Sequence, residues 1–174
     1  AGNIFEQLCA PLTRSMIEAF GFGGHLASLT DPERRGKALP YDKAIIFVTN
    51  HDVWGNESGL GYRYEGSEAA KDELLAHMFI LGRGLGAPYI YSETDNGPSL
   101  KYRSSEQSFV RYHRKFAIER MLLFHNQAGS YSPTWRYQDQ SHLAWSSGNQ
   151  AFIALNKGGE AWEVGREIEL GLEY

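Results

Sequence analysis

The 174-residue sequence predicts an α/β fold, in which two strand–loop–helix units precede a small antiparallel β region. An almost continuous apolar, β-branched run covers residues 43–49, and a helical pattern of apolar residues covers 67–81. The same order recurs with a strand at 88–91 and a helix at about 105–124. After about residue 127, short apolar segments alternate with turn-forming clusters, which is typical of antiparallel strands. These three observations define the predicted architecture.

A helix is predicted ahead of the first strand. Its apolar positions recur at helical spacing, at Leu12, Met16, Ala19 and Phe20. Pro11 suits the first turn of this helix and Gly21 suits its end. Residues 28–40 are polar and indicate a connection that contains at most one short helix.

The two strand–loop–helix units indicate a parallel sheet. A short apolar strand without alternation, such as 43–49, is typical of a strand buried on both faces. Ser67 is a suitable N-cap for the helix at 67–81, and the glycine-rich residues 82–86 end that helix. We expect both strands to run in the same direction.

The last part of the chain predicts a separate β domain. Turn-forming clusters at 146–149 and 157–159 separate its short segments, which we place at 135–137, 142–145, 151–156, 162–164 and 167–170. A boundary near 127–132 divides the chain into residues 1–127, with the β/α units, and residues 128–174, with the antiparallel strands.

Composition excludes some classes of function. The formal net charge of -4 argues against a nucleic-acid-binding face, which needs a basic surface. No apolar run approaches the roughly 18 residues that span a membrane. Cys9 is the single cysteine, so no internal disulfide forms. The first residues carry no signal peptide, and we expect that a leader was removed or that the chain is part of a longer protein.

Polar clusters follow both predicted strands of the parallel sheet. Asn50, His51 and Asp52 follow the first strand, while Glu93 and Asp95 come after the second. Functional side chains of parallel β/α folds collect at these strand ends, where a carboxylate beside an imidazole can bind the hydroxyls of a polar ligand. The residue types alone leave two alternatives open. Asp52 could cap a helix while His51 bonds within the loop, or both could join Glu57 in a metal site.

A family resemblance enters at this cluster. Residues 47–52, Phe-Val-Thr-Asn-His-Asp, resemble the F-V-x-N-H-D region of the α-amylase family of glycoside hydrolases. Residues 76–81 and 86–93 resemble the seventh helix and eighth strand of that family, at the expected distance. Residues 151–159 resemble the first strands of the β domain that follows the barrel, and 19–26 look like certain bacterial amylases. The resemblance covers nearly the whole chain in the right order.

The resemblance implies a fold and indicates which catalytic residues lie outside this chain. Residues 1–127 would form the C-terminal part of a (β/α)8 TIM barrel, and 128–174 would start a small antiparallel β-sandwich domain that looks cut short. In this family the nucleophile and the general acid lie upstream of the F-V-x-N-H-D region, so we expect this chain to lack both. No cofactor is assignable within the chain, because the calcium-binding region of the family also lies upstream.

The same resemblance implies roles for individual residues in a retaining hydrolase of α-1,4-glucans such as starch and maltooligosaccharides. Asp52 would be the catalytic residue that holds hydroxyls of the distorted sugar and stabilises the transition state. His51 would bind the same sugar, with Asn50 supporting the pair. We expect aromatic stacking on the glucan from Trp54 and Tyr62 in the following loop, and Glu93 is a further candidate contact on the same rim.

The expected partners follow from these roles. They are an α-glucan substrate and the missing N-terminal part of the enzyme or an oligomer partner, with neither nucleic acid nor membrane. The family resemblance favours a secreted or periplasmic protein. An alternative remains open at this point: a non-catalytic carbohydrate-binding or interaction module derived from the same family.

Overall fold

The computed structural model describes residues 10–21, 23–48, 67–90, 117–127 and 131–164. These residues form helices and two separate β-sheets, one parallel and one antiparallel. The structure is therefore mixed α and β, as the sequence predicts.

Helix α1 spans Ala10–Phe20 and confirms the first predicted helix. Its apolar stripe is buried, because Leu12, Met16, Ala19 and Phe20 all face the core at helical spacing. The helix ends where the amide of Gly21 donates to the carbonyl of Ile17, at 2.9 Å. Two short 3-10 turns follow, at Leu26–Leu29 and Tyr41–Lys43.

Strand β1 spans Ile45–Phe47 and strand β2 spans Ala87–Tyr89, and the two pair in parallel. Helix α2, at Ser67–Gly82, precedes β2 and agrees with the predicted helix at 67–81. Gly86 lies between α2 and β2 with a φ of +79°, a left-handed conformation that favours glycine. The parallel direction of the two strands is confirmed.

The expectation that the first strand is buried on both faces is wrong at one end. Ile46 and Phe47 are buried, but Ile45 is 45% exposed. Ile45 is the first residue of β1, and the packing that covers Phe47 on the same face does not extend to it. The observed strand is also shorter than the predicted segment of 43–49, because Lys43 closes the preceding 3-10 turn.

Residues 117–127 are helical and form α3 as far as the structure describes it. They agree with the end of the helix predicted at 105–124, whose earlier residues lie outside the described parts. Several apolar side chains of α3 pack against the core, namely Ile118, Met121, Leu122 and Phe124. The ring nitrogen Nδ1 of His125 lies 2.8 Å from the carbonyl oxygen of Leu81, which connects α3 to α2.

The antiparallel sheet has the order β3–β4–β5, with strands at Pro133–Gln138, His142–Ser147 and Ala151–Asn156. Each strand pairs with the next one along the chain. The predicted strand at 162–164 is wrong, because these residues have no strand structure. The segment predicted at 167–170 lies outside the described residues.

A turn explains why residues 162–164 leave the sheet. The side-chain oxygen of Asn156 accepts from the amide of Gly158 at 2.7 Å, and its amide group donates to the carbonyl of Glu160 at 2.7 Å. These bonds turn the chain back over the sheet after β5. Trp162 then packs against side chains of β3 and β4 instead of joining the ladder.

One face of the antiparallel sheet shares its core with the helices. Trp145 is fully buried, lies edge-on to Phe79 of α2 at 5.9 Å, and donates its indole N–H to the carbonyl of Gly82 at 3.0 Å. Leu143, Ile153 and Leu155 fall in the same buried cluster as the stripe of α1. The sheet and the helices therefore form one continuous hydrophobic core in the described residues.

None of the helices in the described parts of the chain is long and apolar enough to cross a membrane.

Candidate functional site

The residues predicted to bind or act on substrate lie outside the described residues. They are Asn50, His51, Asp52, Trp54, Tyr62 and Glu93, together with Glu57 and Asp95. Their roles therefore stay predictions. What the structure gives is the framework that precedes each cluster.

The framework places the ends of two parallel strands side by side. Phe47 ends β1 opposite Tyr89, which ends β2. Parallel strands expose their carboxyl ends at one edge of a sheet, and both polar clusters follow these ends in the sequence. Asn50 comes three positions after Phe47, and Glu93 comes four positions after Tyr89.

The end of β1 is firmly anchored. The hydroxyl of Thr13 in α1 donates to the carbonyl of Phe47 at 2.8 Å, and this bond is buried. Val48, the next residue, is fully buried. A side chain that must hold a ligand within a fraction of an ångström benefits from such a rigid base. The chain enters the Asn50–Asp52 cluster from a fixed point.

A partly buried ion pair connects Arg83 and Glu33. Arg83 follows α2, is fully buried, and donates from Nη2 to Glu33. Its guanidinium also lies over the ring of Phe79, at 5.3 Å from the centroid. Among the described residues, the atoms Nε and Nη1 of Arg83 have no hydrogen-bond partner. The pair joins the segment before β1 to the end of α2, which is a structural role.

A second polar cluster, absent from the sequence predictions, is built on the turn between β3 and β4. Oδ1 of Asp139 accepts from the backbone amides of Ser141 and His142 at 2.7 and 2.6 Å. Oδ2 of Asp139 lies 3.0 Å from Nδ1 of His142 and accepts from the hydroxyl of Tyr137 at 3.1 Å. One carboxylate thus fixes the backbone of the turn and two side chains.

These contacts shift the pKa values of two side chains at the turn. Burial alone would raise the pKa of Asp139, but hydrogen bonds from His142, Ser141 and Tyr137 together lower it to about 2. The same hydrogen bond to Asp139 raises the pKa of Tyr137, with the negative charge of Asp139 adding to the effect. Near neutral pH the turn carries a carboxylate and a neutral phenol.

Three aromatic rings gather beside Asp139, and we call them the outer-face cluster: Tyr137, His142 and Trp162. The rings of Trp162 and His142 lie 4.6 Å apart, those of Trp162 and Tyr137 lie 5.2 Å apart, and those of Tyr137 and His142 lie 6.4 Å apart. Spacings of this size are typical of interacting aromatic side chains. The sequence signal that could have revealed the cluster is an aspartate three residues before a histidine in a hairpin turn.

No group of three or more histidine, cysteine, aspartate or glutamate side chains that could hold a metal ion occurs within the described ranges.

Comparison with known proteins gives related sequences. No family model matches the chain. An α-amylase of Aeromonas hydrophila is 30% identical over 150 residues, a match that covers 84% of this chain and 30% of that protein. An α-amylase of Thermomonospora curvata is 31% identical and one of Tenebrio molitor is 25% identical, over 86% and 84% of this chain respectively.

The chain spans only part of each relative. The matches cover between 25% and 34% of the length of these amylases. Within this limit, the resemblance inferred from the sequence is confirmed: the chain is related to the α-amylases, a family of glycoside hydrolases, over most of its own length.

Proposed function

We propose that this chain is the C-terminal portion of a retaining α-amylase-type glycoside hydrolase that acts on α-1,4-glucans. Residues 1–127 contribute the last two β/α units of a TIM barrel, and 128–174 begin the β domain that follows it. The nucleophile, the general acid and any bound calcium belong to residues outside this chain. A polymeric substrate of this kind also favours action outside the cytoplasm.

One observation carries the proposal. The F-V-x-N-H-D pattern of residues 47–52 starts on the last residue of β1, and β1 pairs in parallel with β2. Active sites of parallel β/α barrels form from residues beyond such strand ends. The similarity to three proteins named α-amylase extends over 84–86% of the chain and supports the same assignment.

The chemistry of this portion is substrate holding. Asp52 accepts hydrogen bonds from hydroxyls of the sugar at the bond to be cleaved. Its carboxylate binds most strongly when the ring flattens in the oxocarbenium-like transition state. His51 donates to the same sugar, and Asn50 supports both. Trp54, Tyr62 and Glu93 contact neighbouring parts of the glucan.

The test is Asp52→Asn in the whole protein. We expect at least a roughly 100-fold loss of starch hydrolysis, because hydrogen bonds that strengthen in the transition state supply several kcal/mol of the rate. The measurement is the initial rate of reducing-sugar release, with thermal unfolding as the check of folding. Near-normal activity in this variant contradicts the proposal.

A matched control is Asp42→Asn. Asp42 is exposed in the 3-10 turn that precedes β1, so this substitution removes an equal charge close to the same strand. We expect the control to keep full activity. The alternative of a non-catalytic carbohydrate-binding module predicts glucan binding without reducing-sugar release in the unsubstituted protein as well.

A further inference from the structure

The outer-face cluster owes its position to a β-bulge in β3. Trp135 pairs with Trp145, and the next registered pair is Tyr137 with Ala144, so Arg136 is an extra residue in β3. Directly paired residues of an antiparallel sheet lie on the same face. Tyr137 therefore lies on the face of Ala144, opposite to the core face that Trp135 and Trp145 share. Without the bulge, Tyr137 would point toward the core.

The bulge brings Tyr137 to the same face as His142. His142 and Ala144 are two residues apart in β4 and share the outer face. The turn after β5 then adds Trp162 to this pair. Bulges commonly re-aim one side chain, and here the re-aimed side chain completes a group of three rings.

The cluster is held in place by hydrogen bonds that do not depend on a ligand. Asp139 orders Tyr137 and His142, and Asn156 orders the turn that leads to Trp162. The turn of Asp139 is itself tied to the helical part of the chain, because the amide of Ala27 donates to the carbonyl of Asp139 at 2.9 Å. Ordered rings lose little conformational freedom on binding, which favours affinity.

The cluster also remains open to solvent. Tyr137 is 38% exposed and the side chain of Asp139 is 39% exposed, while Trp162 and His142 are partly buried. Aromatic faces here adjoin groups that donate and accept hydrogen bonds. A pyranose ring needs this combination, since one face of the sugar is lined with C–H groups and its rim with hydroxyls.

We infer that the outer-face cluster is a second carbohydrate-binding site, separate in sequence from the Asn50–Asp52 cluster. It holds a segment of a neutral α-glucan. A sugar stacks on Tyr137 and Trp162, and its hydroxyls bond to the ring of His142. A neutral ligand is favoured over a cation, because the carboxylate of Asp139 already accepts hydrogen bonds from four donor groups. The choice of an α-glucan rests on the proposed function.

The test measures binding of the whole protein to granular starch by cosedimentation, in an Asp52→Asn background that limits hydrolysis. We expect Tyr137→Ala and Trp162→Leu to weaken binding about threefold to tenfold, which is the range for loss of one aromatic stacking contact. Tyr137→Phe keeps the ring and is expected to retain most of the affinity. Thermal unfolding of each variant establishes that the sheet is intact.

A matched control is Tyr131→Ala, which removes another exposed tyrosine of the same region. Tyr131 packs beside Gly148 and accepts from Gln150, away from the three rings. We expect this control to bind starch as its parent does. Equal binding by folded Tyr137→Ala, Trp162→Leu and parent overturns the inference, and so does a loss that Tyr131→Ala reproduces.

Hydrolysis separates this inference from the proposed function. With the active-site residues restored, Tyr137→Ala is expected to lower the ratio of activity on granular starch to activity on a short soluble maltooligosaccharide. If the protein hydrolyses glucans but binds starch independently of Tyr137 and Trp162, the proposed function stands and the second site is refuted. If the protein does not hydrolyse glucans but its starch binding depends on both rings, the second site stands and the proposed function is refuted.

Discussion

The two sheets in the described residues differ in how they are held together. Strands β3, β4 and β5 follow one another directly, and each forms its ladder with its neighbour in sequence. Strands β1 and β2 pair over three residues each and are separated by residues 48–86, which include α2. The antiparallel sheet is specified locally, whereas the parallel pair depends on the helices packed against it.

The apolar side chains of the two sheets also differ in their exposure to solvent. The inner face of the antiparallel sheet buries Leu143, Trp145 and Leu155 against the helices. In the parallel pair, Ile45 and Tyr89 remain 45% and 48% exposed. Apolar side chains on a parallel sheet are normally covered on both faces, so the two exposed side chains fit a sheet that continues into a larger barrel, as we propose.

The largest expected effect comes from breaking the inner face of the antiparallel sheet. Trp145→Ala removes a fully buried indole, its contact with Phe79 and its hydrogen bond to Gly82. We expect a loss of about 3–5 kcal/mol in the free energy of unfolding, measured by urea denaturation. Tyr41→Ala truncates a side chain that is 57% exposed and should change the same quantity by less than about 0.5 kcal/mol. Similar losses in both variants would contradict the assigned core.

A smaller loss is expected from the ion pair that supports the parallel strands. Glu33→Gln leaves the guanidinium of Arg83 buried without its counter-charge, and two of its nitrogens already lack partners in the described parts of the chain. We expect about 2 kcal/mol of destabilisation in urea denaturation. Arg83→Met removes the buried charge and fills similar volume, so it should cost less than Glu33→Gln. The reverse order would show that the arginine itself, and not its neutralisation, stabilises this region.

The sequence predicted the locally specified parts of the molecule best. The segment at 151–156 coincides with β5, and Pro11 and Gly21 lie close to the ends of α1. The limits of β1 were less accurate, because they depend on a 3-10 turn and on packing from distant residues. Segment 162–164 has the composition of a strand, yet the side chain of Asn156 diverts it.

Long-range features had no sequence signal. The bulge at Arg136 and the pairing of Arg83 with Glu33 both arise from contacts that no local pattern encodes. For the candidate site, the sequence supplied residues 50–52 and their family resemblance, and the described structure supplies the ends of β1 and β2. The outer-face cluster was missed because its three rings come from separate segments of the chain.

The approach of the two parallel strands can be tested at Gly86. Its φ is +79°, and an added Cβ would lie 3.1 Å from Cγ2 of Ile46 and 3.3 Å from the carbonyl oxygen of Ala44. We expect Gly86→Ala to cost about 2 kcal/mol through strain and crowding. Gly36 has a φ of +67°, and no described atom lies within 4 Å of the added Cβ, so Gly36→Ala should cost only about 1 kcal/mol. Equal values would argue that β1 and β2 tolerate a wider separation.

The smallest expected effect is a pH dependence at the turn of the antiparallel sheet. The pKa of Asp139 is lowered to about 2 from an ordinary value of 3.8, so its charged form is favoured by folding. Its stabilisation is therefore present above about pH 4 and is lost as pH falls toward 2. The side chain is 39% exposed, so solvent screening limits the effect to below about 1 kcal/mol. Urea denaturation of the protein and of Asp139→Asn should differ at pH 6 and converge near pH 2.

Lys157, which follows β5, links the antiparallel sheet to the end of α1 through its ammonium nitrogen. Its ammonium group donates to the carbonyls of Ala19, Gly21 and Gly24, at 2.8, 3.1 and 2.7 Å. These carbonyls belong to the end of α1 and the residues after it, where a positive charge is favoured. An engineer who transplants the antiparallel sheet onto another protein would remove this cation from its three acceptors. A successful chimera must therefore carry residues 19–24 along with the sheet, so the unit that can be exchanged is larger than the unit that the sequence pattern outlines.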